Sequence, residues 1–137
     1  LASSAASDVY KRQIDTLVDL INLVSLRTGY SIGGFDADKI QGDSLELGIG
    51  RAEEPFEGIG RGTLNIEGLP VYRDRAGGIG TPTSDNERTK MGLETRRILA
   101  IVNGYNGREG LAEAAGMIQE LLRKYADSDG GTIRYFE

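Results

Sequence analysis

Thr63-Leu64-Asn65-Ile66-Glu67-Gly68-Leu69-Pro70-Val71-Tyr72-Arg73-Asp74-Arg75-Ala76-Gly77-Gly78 is the stretch on which the fold class turns. Two short strand candidates, 63–67 and 70–73, flank Gly68, and Asp74-Arg75-Ala76-Gly77-Gly78 reads as a turn. Outward from it, 45–49 is a further short strand. Residues 97–102 contain the continuous apolar run Ile98-Leu99-Ala100-Ile101-Val102 expected of a central strand. One helical pattern lies on each side. In 14–27, Ile14, Leu17, Val18, Ile21 and Val24 recur at three- and four-residue steps, and Leu20, Leu23 and Leu26 widen the stripe. That pattern predicts a largely buried helix, too short at about fourteen residues to span a bilayer, which needs about twenty. In 108–125, Leu111, Ala114, Ala115, Ile118, Leu121, Leu122 and Tyr125 share a face opposite Glu109, Glu113, Glu120, Arg123 and Lys124. Asp127-Ser128-Asp129-Gly130-Gly131 ends that helix, and Thr132-Ile133-Arg134-Tyr135-Phe136 alternates as a closing strand. Strands and helices do not alternate strictly enough for a doubly wound fold. The expectation is α+β: a mixed or antiparallel sheet of short strands with flanking helices.

The whole chain is 137 residues, with a net charge of −5, the length of one domain. It has no Cys, His or Trp. Disulfides, thiolate sites, Cys nucleophiles, Ser-His-Asp triads and His-ligated zinc are therefore excluded, leaving oxygen donors alone for a metal. Gly accounts for 20 residues, about twice the usual share of roughly 7 %. Gly48-Ile49-Gly50, Gly58-Ile59-Gly60 and Gly78-Ile79-Gly80 echo one another. They read either as strand edges approached closely by another backbone or as ligand-lining turns.

Residues 1–13 stand apart. Ser3 to Gln13 reads as the in-frame translation of a transposase-type sequencing adapter, since Asp8-Val9-Tyr10-Lys11-Arg12-Gln13 back-translates to GAT GTG TAT AAG AGA CAG. The other reading is a natural Ser/Ala-rich N-terminus entering a helix. On the adapter reading, native sequence starts near Ile14 and 14–137 is the C-terminal part of a single domain cut at its front. Setting aside Asp8, Lys11 and Arg12 takes the net charge to −6.

Motif tests exclude more than they assign. Gly58-Ile59-Gly60-Arg61-Gly62 is followed by a strand pattern, not the helix a dinucleotide fingerprint requires. No P-loop or Gly-x-Ser-x-Gly elbow is present. Asp36-Ala37-Asp38 opens like a calcium loop, but Ile40 and the missing Gly and Glu spoil it. What remains is Gly80-Thr81-Pro82-Thr83-Ser84-Asp85-Asn86-Glu87-Arg88-Thr89-Lys90. This loop either holds a polar ligand through Thr81, Thr83 and Ser84, with Arg88 and Lys90 toward phosphate, or is ordinary turn chemistry.

From Gly29 to Phe136 the chain resembles the B3/B4 domain, found in the β subunit of bacterial phenylalanine–tRNA ligase and in free-standing proteins. The resemblance rests on four segments in order. They are Leu45-Glu46-Leu47-Gly48-Ile49-Gly50 with Glu53-Glu54-Pro55-Phe56, then Pro70-Val71-Tyr72-Arg73-Asp74, then Gly78-Ile79-Gly80-Thr81-Pro82-Thr83-Ser84-Asp85, and finally Glu94-Thr95-Arg96-Arg97-Ile98-Leu99-Ala100-Ile101. In the ligase this domain edits, hydrolysing the ester of tyrosine wrongly attached to the phenylalanine tRNA. The resemblance therefore implies a bacterial, cytoplasmic trans-editing hydrolase, or alternatively a non-catalytic module for RNA or an amino-acid-like ligand.

Carried over by position, Thr83, Ser84 and Glu94 would serve catalysis. Gly80, Thr81, Thr95 and Asn65 would contact substrate, and Arg61, Arg88 and Lys90 would face RNA. The implied partner is tRNA or aminoacyl-tRNA, with no DNA, membrane, metal or cofactor. The family's Gly-Gly loop is Thr81-Pro82-Thr83-Ser84 here, and its pocket His has no counterpart. An aminoacyl ester is activated, so amides and hydroxyls that position water and stabilise the oxyanion can supply much of the rate. The acidic balance works against phosphate binding, whereas Arg73, Arg75, Arg88, Lys90, Arg96 and Arg97 lie close together in sequence.

Overall fold

The computed structural model describes residues 9–104, 108–126 and 128–136. Its elements, in order, are α1 (Val9–Thr28), β1 (Ser31–Asp36), a 3-10 turn (Ala37–Lys39), β2 (Glu46–Ile49), β3 (Glu57–Gly58) and β4 (Gly62–Thr63). They continue with β5 (Pro70–Asp74), β6 (Gly77–Gly80), a second 3-10 turn (Glu87–Thr89), β7 (Ile98–Asn103) and α2 (Arg108–Tyr125). The protein is α+β, with two helices and several small sheets of short strands. Among the described residues no helix is long and apolar enough to cross a membrane. No group of three or more acidic side chains there is arranged to hold a metal. The chain divides into two compact units, Leu1–Ile32 with Val102–Glu137, and Gly33–Ile101.

In the first unit α1 packs on α2. Leu20, Ile21 and Val24 are buried on α1, and Ala114, Ile118 and Leu122 on α2, each set at helical spacing. The α2 boundaries agree with the sequence pattern, but Tyr125 at its end is exposed. α1 is less enclosed than its composition suggested, because Val18 and Leu26 face water. It stops at Gly29, whose N–H donates to the Ser25 carbonyl at 2.8 Å with φ at +77°. Residues 132–136 form no strand. Instead α2 holds the preceding segment by its carbonyls: Arg123 Nε donates to Asp129 O and Gln119 Nε2 to Gly131 O, both at 3.0 Å. Alternation alone makes no strand without a partner strand to pair with.

The second unit is built on an antiparallel sheet in the order β2-β5-β6. Leu47 pairs with Tyr72 and Gly48 with Val71, and the β5–β6 register slips between Tyr72 and Arg73. Val71, Phe56 and Ile66 form one core cluster, with Leu64 against it. The expected strand at 63–67 survives only as Gly62–Thr63, paired with β3. Asn65 ends it, because its side-chain oxygen accepts the Glu67 N–H at 3.0 Å and closes a local turn. Among the described residues β7 pairs only with β1, and all its residues are half-buried, so it is not the central strand its apolar run suggested. The close-approach reading holds at Gly50, where a Cβ would strike the Ile66 carbonyl.

Candidate functional site

The hydroxyl-rich loop is a tight turn on the end of β6. Thr81 N–H donates to Ser84 O at 2.8 Å, and Thr81 Oγ1 takes the Ser84 N–H at 3.1 Å. Asn86 closes the turn: its N–H reaches Ile79 O at 2.8 Å and its buried Nδ2 reaches Gly78 O at 3.0 Å. The same side chain caps the second 3-10 turn by accepting Arg88 N–H. Gly80 bridges to Asp85 across the turn, and the Ile59 N–H donates to the Asp85 carbonyl at 3.0 Å. These bonds seat residues 80–86 between β6 and the β3–β4 hairpin, leaving Pro82 and Thr83 exposed at the tip.

Of the residues selected from sequence, Gly80, Thr81, Thr83, Ser84 and Arg61 come together here. Arg61, exposed on the β3–β4 turn, donates through Nη1 to Ser84 Oγ at 2.6 Å. That bond orients the hydroxyl but supplies no base, so Ser84 is a hydrogen-bonding group and not an activated nucleophile.

The other two cations are committed elsewhere. Arg88 forks onto Asp74, Nη1 to Oδ2 and Nη2 to Oδ1, each at 2.9 Å, while Lys90 pairs with Glu87 at 2.9 Å. Asp74 is buried and also accepts N–H bonds from Gln41, Ala76 and Gly77. Burial pushes its carboxyl up, but the Arg88 guanidinium and these amides outweigh it and hold it below the usual range.

Glu94 and Thr95 belong to a separate cluster. Glu94 pairs with Lys39 at 2.5 Å, which holds its carboxyl below the ordinary range. Thr95 Oγ1 donates to the buried Asp36 at 2.8 Å and accepts Gly92 N–H at 2.9 Å. No hydrogen bond or ion pair among the described residues joins Glu94 or Thr95 to the turn at 80–86, and Asn65 serves its own turn.

One group in the turn escaped selection from sequence. Asp85 is half-buried, and its carboxylate lies against the Gly33 and Gly80 backbones and the Phe35 ring. A Cβ on Gly80 would sit 3.0 Å from Asp85 Oδ1 and 2.7 Å from Phe35 Cζ, and on Gly33 3.5 Å and 2.9 Å. Loss of water around this carboxyl pushes it up to about 7, against the pull of the Gly34 N–H that donates to it. Its place in a run of turn residues was legible. The bare glycine backbone that strips its water was not.

No curated protein matches the chain significantly. The family model described as the B3/4 domain matches residues 5–125, most of the chain and every element of the site. With its α+β order and its turn after the glycine-rich β6, the chain belongs to the B3/4 domain family, the domain found in the phenylalanine–tRNA ligase β subunit.

Proposed function

We propose that the protein acts in trans on mischarged aminoacyl-tRNA, hydrolysing the ester between the amino acid and the terminal ribose at the turn formed by residues 80–86. The observation that carries this reading is the meeting of the Arg61 guanidinium with the Ser84 hydroxyl at 2.6 Å on an exposed, hydroxyl-rich turn. A cation with no carboxylate partner among the described residues suits the phosphate of a 3′ end, and adjacent hydroxyls suit an ester. Family membership supports the substrate class, since the domain's setting is a tRNA ligase subunit. Positioning one water against an activated ester needs neither metal nor His.

On this reading Thr81 and Gly80 form the floor, Thr83 and Ser84 contact the aminoacyl group, and Arg61 contacts phosphate. Arg88 acts indirectly, anchoring the base of the turn to Asp74. The test is deacylation of tRNAs charged with tyrosine, phenylalanine, alanine or serine, comparing the unaltered chain with Thr83→Val/Ser84→Ala. Selective hydrolysis of one mischarged species, reduced at least about tenfold in the double variant, is the expected result. Charged tRNA retained on a filter without turnover would replace hydrolysis with a binding role.

A further inference from the structure

We propose that Asp85 is the catalytic base of this deacylation, its carboxylate taking a proton from the water that attacks the ester carbonyl. This rests on the proposed function and extends it to a residue with its own geometry. Gly80 leaves the space that the Asp85 carboxylate and the Phe35 ring occupy, and Gly33 leaves room for the same ring, with the Asp85 carboxylate in ordinary contact beside it. The Gly34 N–H orients the carboxyl. A hydrogen-bond acceptor alone would be served equally by an amide, which costs less to dehydrate than a carboxylate.

No cation among the described residues neutralises the group. The charged residues on the elements packed around it are Asp36, Glu57, Arg61, Glu87 and Arg88. Asp36 is bonded to Thr95, Arg61 to Ser84, Glu87 to Lys90 and Arg88 to Asp74, while Glu57 is exposed. None forms an ion pair or hydrogen bond with Asp85 among the described residues. Asp85 as a residue is half-buried, not fully enclosed. In a chain without His or Cys, a dehydrated carboxyl poised near neutrality is the group suited to proton transfer at that pH.

The step balances without a co-reactant. Water loses a proton to the Asp85 carboxylate as its oxygen bonds to the ester carbon. The tetrahedral oxyanion meets the turn's donors. The carbon–oxygen bond to the ribose then breaks, and the ribose oxygen takes the proton back from Asp85. The products are the free amino acid and a tRNA with its terminal hydroxyl restored.

The test is the pH profile of kcat/KM on the mischarged species, for the unaltered chain and for Asp85→Asn, with spontaneous ester hydrolysis subtracted. The expected profile for the unaltered chain rises with loss of one proton, with a midpoint near 7. Asp85→Asn should lose about 10²- to 10⁴-fold at pH 8 and become flat. Its melting temperature at pH 8 and its filter retention of charged tRNA should be undiminished. Activity of Asp85→Asn within about threefold of the unaltered chain would overturn the assignment while leaving the deacylase reading intact. A flat profile for the unaltered chain would do the same, however the variant folds. Absence of hydrolysis by the unaltered chain would remove both.

Discussion

Asp74 and Asp85 lie at opposite ends of β6, both in contact with dehydrated backbone, and the fold treats them oppositely. Asp74 is enclosed by Arg88, Gln41, Ala76 and Gly77, and its charge is matched by a forked guanidinium. Asp85 receives one amide and, among the described residues, no counter-ion, and its neighbours are glycine backbone and an aromatic ring. The first arrangement fixes structure, since a buried charge with a complete shell anchors whatever supplies that shell. The second keeps a proton exchangeable near neutral pH at a cost in stability, the usual mark of a group kept for chemistry.

The sharpest way to break the contrast is Asp74→Ala. It leaves Arg88 buried in part without its carboxylate and strands three amides, so the expected loss is about 3–5 kcal/mol in denaturant unfolding. A loss below about 1 kcal/mol would mean the corner at Asp74 does not hold the turn.

Glu54 extends the paired class. Arg73 donates to it through Nε at 2.8 Å and Nη2 at 2.7 Å, and these bonds hold its carboxyl at about 2 against an ordinary 4.5. The stabilisation is present above 4.5 and disappears as pH falls from there toward 2. Glu54→Gln should cost about 2 kcal/mol at neutral pH, and the gap from the unaltered chain should close on acidification through that window.

Asp85 gives the smallest effect, with the opposite sign. Its raised carboxyl imposes no penalty below its ordinary value of 3.8, and the penalty grows as pH rises through about 7. Asp85→Asn should leave stability unchanged at pH 4 and increase it by about 1–2 kcal/mol at pH 8, read from unfolding midpoints.

The elements legible in the sequence are those set by local pattern. Residues 108–125 carry an apolar face with helical period, and the helix runs over those residues. Leu45 to Ile49 and Pro70 to Arg73 have strand composition, and both became strands within a residue of the expected ends. Where a side chain competed with the backbone, pattern failed, as at Asn65 in the strand expected over 63–67. The segment 132–136 alternates correctly but forms no strand, and the residues just before it are held to α2 by Arg123 and Gln119 through the Asp129 and Gly131 carbonyls. β6, with the sequence Gly-Gly-Ile-Gly, has almost no strand propensity and exists because β5 pairs with it across the turn at Arg75 and Ala76.

The site follows the same division. Composition and order drew attention to the hydroxyl turn, and Arg61 reaches Ser84 across a separate hairpin. That Arg88 belongs to Asp74 and Glu94 to Lys39 is a matter of long-range pairing, which spacing does not encode. The surroundings of Asp85 include Gly33 and Phe35 and the Gly34 N–H, all far away in sequence.

The most direct measurement is an NMR titration of the side-chain carboxyl carbons in the unaltered chain. The Asp85 resonance should titrate with a midpoint near 7 while Asp74 remains ionised well below that. A midpoint for Asp85 near the ordinary 3.8 would contradict it, leaving the turn without its acid–base group.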